Sequence, residues 1–194
     1  MDEHRHRPHH HDAEGADGGR AVLEFRREKD DFFRRDPRSP LTRAQRAAFA
    51  GLAYFPPNPE LVIEGRLEPP GSTDPIDLAT TTGEPEPYVP AGVLRFSVGG
   101  RAAHVMLYAS PASEDLFLPF RDATSGARSY AAGRYLEVPA PEDGWVLVDF
   151  NYAYNPYCAY NDGWRCPLPP ADNWLEVPIE AGERAFPGAA THDA

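Results

Sequence analysis

The spacing of apolar residues changes once along the chain, from a helical period to a strand period. In AVLEFRREKDDFFRR, residues 21 to 35, Val22, Phe25, Phe32 and Phe33 share one helical face, with the stem of Lys29 between them. Pro37 stops that helix. LTRAQRAAFAGL predicts a second helix, with Thr42 and Gln45 at capping-box spacing and Gly51 placed to end it. YFPPNP (54 to 59) continues neither element and is expected to be an extended connector.

From Leu61 the period is two. LVIEGRLE predicts a strand up to Pro69, and IDLATT a short one. GVLRFSVGGRAAHVMLYAS is the clearest hairpin: Leu94, Phe96 and Val98 alternate, Gly99-Gly100 turns, and Ala103, Val105, Leu107 and Ala109 alternate back. DLFLPF, SYAAGRYLEV, WVLVDFN and WLEVPIEAG are further strand candidates. Strands at such intervals, with no helical segments between them, predict a mainly β fold. The expected form is an antiparallel sandwich or barrel-like sheet with an N-terminal helical pair.

Composition sets the boundaries. A chain of 194 residues, 41% hydrophobic, suits one domain, taken as residues 21–187. Residues 1–20, with His4, His6, His9, His10 and His11, and residues 188–194 are expected to be disordered tails. A net charge of -11 disfavours nucleic acid and anionic membranes as partners. Lys29 is the only lysine among 19 basic residues. No apolar run of 18 residues and no secretory h-region occur, so the expected location is cytoplasmic and the two cysteines are expected as thiols.

Few familiar chemistries fit. Cys158 and Cys166 are not at a zinc spacing, and His104 is the one histidine outside the tails. No G-x-S-x-G elbow, P-loop or dinucleotide fingerprint is present, so no metal or cofactor is predicted. Asp122 and Asp149, at predicted strand ends, are the remaining candidates for general acid or base.

One long motif is specific. It comprises Phe120, Arg121, Asp122, Thr124, Gly126, Tyr130 and the run Gly133 to Leu136. It continues through Asp149, Phe150, Asn151, Ala153, Tyr154, Asn155, Pro156, Cys158, Ala159 and Tyr160. Cys166, Pro167, Pro169, Pro170, Asn173, Ala181, Gly182 and Glu183 complete it. In these residues the chain resembles the bacterial and archaeal domain-of-unknown-function family numbered 1684, over residues 20 to 187. Ser129, Ala131 and Tyr157 depart from that family's pattern. The resemblance implies no particular activity.

The stretch DFNYAYNPYCAYNDGWRCPLPP (149 to 170) leaves its strand as a loop stiffened by Pro156, Pro167, Pro169 and Pro170. Stiff loops lose little entropy on ordering and hold side chains in place. Arg121, Asp122, Arg134, Asp149, Asn151, Tyr154 and Asn155 are expected to converge beneath it on an anionic small molecule. The alternatives are a hydrolase-like enzyme using Asp122 or Asp149, and a structural protein whose loop caps a barrel end.

Overall fold

The hairpin around Gly99 forms the middle of the sheet. In the computed structural model, which describes residues 11–110 and 113–187, β3 (Glu86–Val98) and β4 (Arg101–Ser110) pair antiparallel. Leu94 lies opposite Val105 and Phe96 opposite Ala103. Gly99 and Gly100 take φ of 55° and 77°, the sign that a two-residue turn of this kind needs at both central positions.

The sheet grows outward from this pair. β1 (Val62–Glu68) and β7 (Trp145–Asp149) extend one side, and β5 (Ser113–Phe120) and β6 (Arg134–Val138) the other. The short β2 (Ile76–Leu78) pairs with the start of β3. The order is β6-β5-β4-β3-β1-β7, antiparallel throughout. The expected barrel-like sheet is thus a half-barrel.

Two helices precede it. In α2 (Arg43–Ala48) both halves of the Thr42–Gln45 capping box form. Gly51 does not end α2, because Phe49 is its C-cap. α1 (His11–Arg35) begins ten residues before the predicted start, so residues 11–20 are helical. Residues 1–10 and 188–194, the rest of the expected tails, lie outside the described residues.

One predicted strand is missing. WLEVPIEAG keeps its alternation, with Leu175, Val177, Ile179 and Ala181 buried, yet it belongs to no ladder. It crosses the open side of the half-barrel as an extended plug, its apolar side chains joining Leu94, Leu107, Leu118 and Val148 in the main core. Period-two burial needs only an extended backbone. The start of the segment runs parallel to residues 121–123, where Arg121 and Trp174 form a single bridge and three backbone hydrogen bonds form. That pairing is too short for a strand and does not reach Ile179 or Ala181.

Beyond Val177, side chains satisfy the plug's backbone instead. Arg134 Nη1 donates to the carbonyls of Ala181 and Glu183, and Nη2 to that of Ile179. Asp122 Oδ2 accepts from Ile179 N–H at 2.6 Å. Asn173 works similarly where β4 and β5 separate. Its Oδ1 accepts from Met106 N–H, and its Nδ2 donates to Met106 and Pro119 carbonyls. Proline has no N–H to offer across that gap, so the amide supplies the missing donor. At Gly182, φ is +72° and a Cβ would lie 2.4 Å from Ala153 O, so the turn after the plug requires glycine.

Candidate functional site

The sheet has two working faces, and the strand period assigns each residue to one of them. In β6, Arg134, Leu136 and Val138 face the half-barrel core, while Tyr135 and Glu137 face outward. Over that outer face lie α1 and the loop after β7. Between them is a cleft of about 780 Å³.

The loop is built to stay in place. Asp149 caps a 3₁₀ turn over Phe150–Tyr152 by accepting from Asn151 N–H. Tyr154 then exchanges both backbone hydrogen bonds with Tyr135, adding a rung to the edge of β6. The proline-rich return is pinned to the segment at 79–81: Thr81 and Cys166 bond through backbone and hydroxyl, and Leu168 N–H donates to Ala79 O. Tyr135 hydroxyl donates to Pro167 O, tying floor to return arm. A second apolar core of Phe33, Tyr130, Tyr160, Cys158 and Cys166 fixes α1 to the loop.

The cleft walls are mostly rings. α1 contributes Phe25 and Phe32, β6 contributes Tyr135, and the loop contributes Tyr152, Tyr154, Tyr157 and Trp164. Tyr157 and Trp164 meet edge to face, with centroids 4.9 Å apart. Burial holds the Tyr135 and Tyr154 phenols far above the usual tyrosine range, so both are neutral donors. Tyr154 hydroxyl donates to Glu137.

The charged residues of the wall are mostly paired. Lys29 Nζ lies 2.6 Å from Glu183 Oε1 and 4.7 Å from the Tyr154 ring centroid. Glu183 is 1% exposed, and its Oε2 also accepts from Tyr160 hydroxyl and Asn155 N–H. Arg165 pairs with Glu84 at 3.2 Å and with Glu86 at 3.7 Å. Cys166 completes the lining.

Of the seven residues expected to converge, only Tyr154 lines this cleft. Arg134 and Asp122 meet each other at 3.4 Å inside the core, both side chains sealed from water. Asp122 also accepts from Thr124 and Ser125 hydroxyls. Burial of the guanidinium lowers the Arg134 pKa, and the Asp122 charge works against that fall. Arg121 lies over the Trp174 ring, 4.6 Å from its centroid. Asp149 and Asn151 bond each other, and Asn151 reaches back to Asn58. Asn155 bonds Glu183 and the carbonyl of Arg184.

These placements correct the expected site, and the reason is physical. Backbone groups of the plug and loop must be satisfied away from water, and charged or amide side chains do this where no strand is at hand. Asp122 therefore has no open oxygen for a substrate, and Asp149 is a turn cap outside the cleft. Lys29, Trp164 and Cys166 line the cleft although none was among the seven residues expected to converge. A signal for Lys29 was present, since one lysine in an arginine-rich chain sits on the apolar face of its helix.

Among the described residues no three of His, Cys, Asp and Glu gather as a metal site would need, and no helix is long and apolar enough to cross a membrane. His104 is exposed on β4, opposite Arg95.

Residues 47–184 match the model of a family described as "Protein of unknown function (DUF1684)". The chain belongs to that family. It is also similar to an uncharacterized protein of Haloarcula marismortui whose solution NMR structure is known. The two are 37% identical, with a TM-score of 0.68, covering 89% of this chain and 97% of the other. No curated protein matches the chain.

Proposed function

We propose that this DUF1684 member binds a small, mainly apolar molecule in the cleft between α1 and the 152–167 loop. The observation that carries this reading is the pairing of a roomy, ring-walled cleft with a loop fastened along its length. A rigid apolar cavity binds without first ordering its walls, which removes much of the entropic cost of association.

The arginines of the motif pointed to an anionic ligand. Such a ligand would have to compete with Glu183 for Lys29, and with Glu84 and Glu86 for Arg165. A neutral body is therefore favoured, with any polar end placed beside Lys29 and the Tyr154 hydroxyl.

Titration with the neutral fluorophore N-phenyl-1-naphthylamine tests this, with the anionic anilinonaphthalene sulfonate for comparison. Saturable one-to-one binding of the neutral probe is expected, weakened at least tenfold by Phe25→Ala or Trp164→Ala. Both side chains are more than a third exposed, so their loss leaves the fold intact. Absence of saturable binding, or binding indifferent to both substitutions, would refute the reading and favour a loop that only caps the sheet.

A further inference from the structure

The two cysteines meet at the inner end of the cleft. Cys166 lines it, while Cys158 lies behind and is 1% exposed. Cys158 N–H donates to Cys166 Sγ at 3.4 Å across eight positions of chain, and both thiols are free. The sulfur of Cys166 is held in place, because its own N–H donates to Thr81 Oγ1 and its carbonyl accepts from Thr81 N–H. Tyr130 hydroxyl lies 3.9 Å from Cys158 Sγ. We propose that this pair is a peroxide-reactive dithiol, in which Cys166 takes up the oxidant and Cys158 closes a disulfide behind it.

The division of labour follows from the contacts. The hydrogen bond from the Cys158 thiol, helped by the Cys158 backbone N–H, draws the Cys166 thiol down to about 7 against the effect of burial. Its neighbour moves the other way: donation to Cys166, together with burial, raises Cys158. The pair therefore favours the thiolate at Cys166, on the open side, and the thiol at Cys158 behind it.

The chemistry balances. Cys166 thiolate attacks one peroxide oxygen and the O–O bond breaks. The departing hydroxide takes the proton that Cys166 had released and leaves as water. Cys166 is now a neutral sulfenic acid, so the charge that held the proton on Cys158 has gone. Cys158 sulfur attacks Cys166 sulfur, its proton leaves with the hydroxyl as a second water, and the disulfide forms. Two thiols lose two electrons in total, and one peroxide is reduced to two waters. Cys166 is 5% exposed, enough for so small a reactant, and the step does not depend on the ligand reading above.

Hydrogen peroxide added to the full chain, followed by alkylation and intact-mass measurement, tests the proposal. The expected product has lost two hydrogens and both alkylatable thiols, and a reductant restores it. Its rate of formation rises through about pH 7. Cys158→Ser should stop at a Cys166 sulfenic acid that dimedone captures, and Cys166→Ser should react at least tenfold more slowly. Thiols that stay alkylatable, a disulfide only between chains, or a Cys166→Ser variant as fast as the parent would overturn it. The wild-type measurement decides the matter even if a variant fails to fold.

Discussion

Lys29 Nζ and Glu183 Oε1 lie 2.6 Å apart, joining the first helix to the segment that follows the plug, beneath the wall of the cleft. The carboxylate is sealed from water and the ammonium nearly so, at 1% and 15% side-chain exposure. Such a pair contributes little net stability over an apolar substitute, but removing one partner is costly.

Lys29→Met should therefore destabilise the fold by about 3–5 kcal/mol, because Glu183 would remain buried without its cation. Adding Glu183→Gln should recover part of that loss. Urea denaturation of the two single variants and the double variant measures the coupling; simple additivity would show that the pair does not act as one unit.

Arg134→Met should cost at least about 3–5 kcal/mol, since it strands Asp122 and the carbonyls of Ile179, Ala181 and Glu183 together. Hydrogen exchange should show the loosening concentrated in residues 174–184. Uniform loosening would argue that the guanidinium does not hold the plug.

Asn173→Ala leaves one N–H and two carbonyls without their partner. At roughly 1–3 kcal/mol for each unsatisfied buried group, a loss of at least about 3 kcal/mol is expected. Asn173→Asp should not rescue it, because the carboxylate cannot donate. A thermal melt within a degree of the parent for either variant would contradict the role of Asn173 in bridging β4 and β5.

Alkaline pH should unfold the protein cooperatively. Desolvation pushes Tyr88 and Tyr108 up to about 12, and Tyr135, Tyr154 and Tyr160 further still. Above the ordinary tyrosine value near 10 the unfolded chain has lost protons that the folded chain retains. Stability is therefore complete below that value and falls as pH rises through 10 to 12. Absorbance at 295 nm should rise together with loss of near-ultraviolet ellipticity. A gradual rise centred on pH 10 in the folded state would count against it.

How much of this was written in the chain depends on the range of the interaction. Turn and cap chemistry is local, so Gly99-Gly100 and the Thr42–Gln45 box were legible from adjacent residues. The parity of β6 was legible too. Arg134 shares its face with Leu136 and Val138, so the alternation allowed a core position where a ligand contact was expected. A guanidinium reads as a ligand contact only while its burial partners are unseen.

The sequence by itself determined most of the elements and the antiparallel sheet, because these rest on period, proline and glycine. Only the tertiary structure decided which groups meet. WLEVPIEAG alternates like a strand, but whether a ladder or Arg134 satisfies its backbone depends on segments some 40 to 60 residues away. The cleft arose in the same way, from α1 settling over the outer face of β6. That contact is set by packing between distant segments, and no local pattern encodes it.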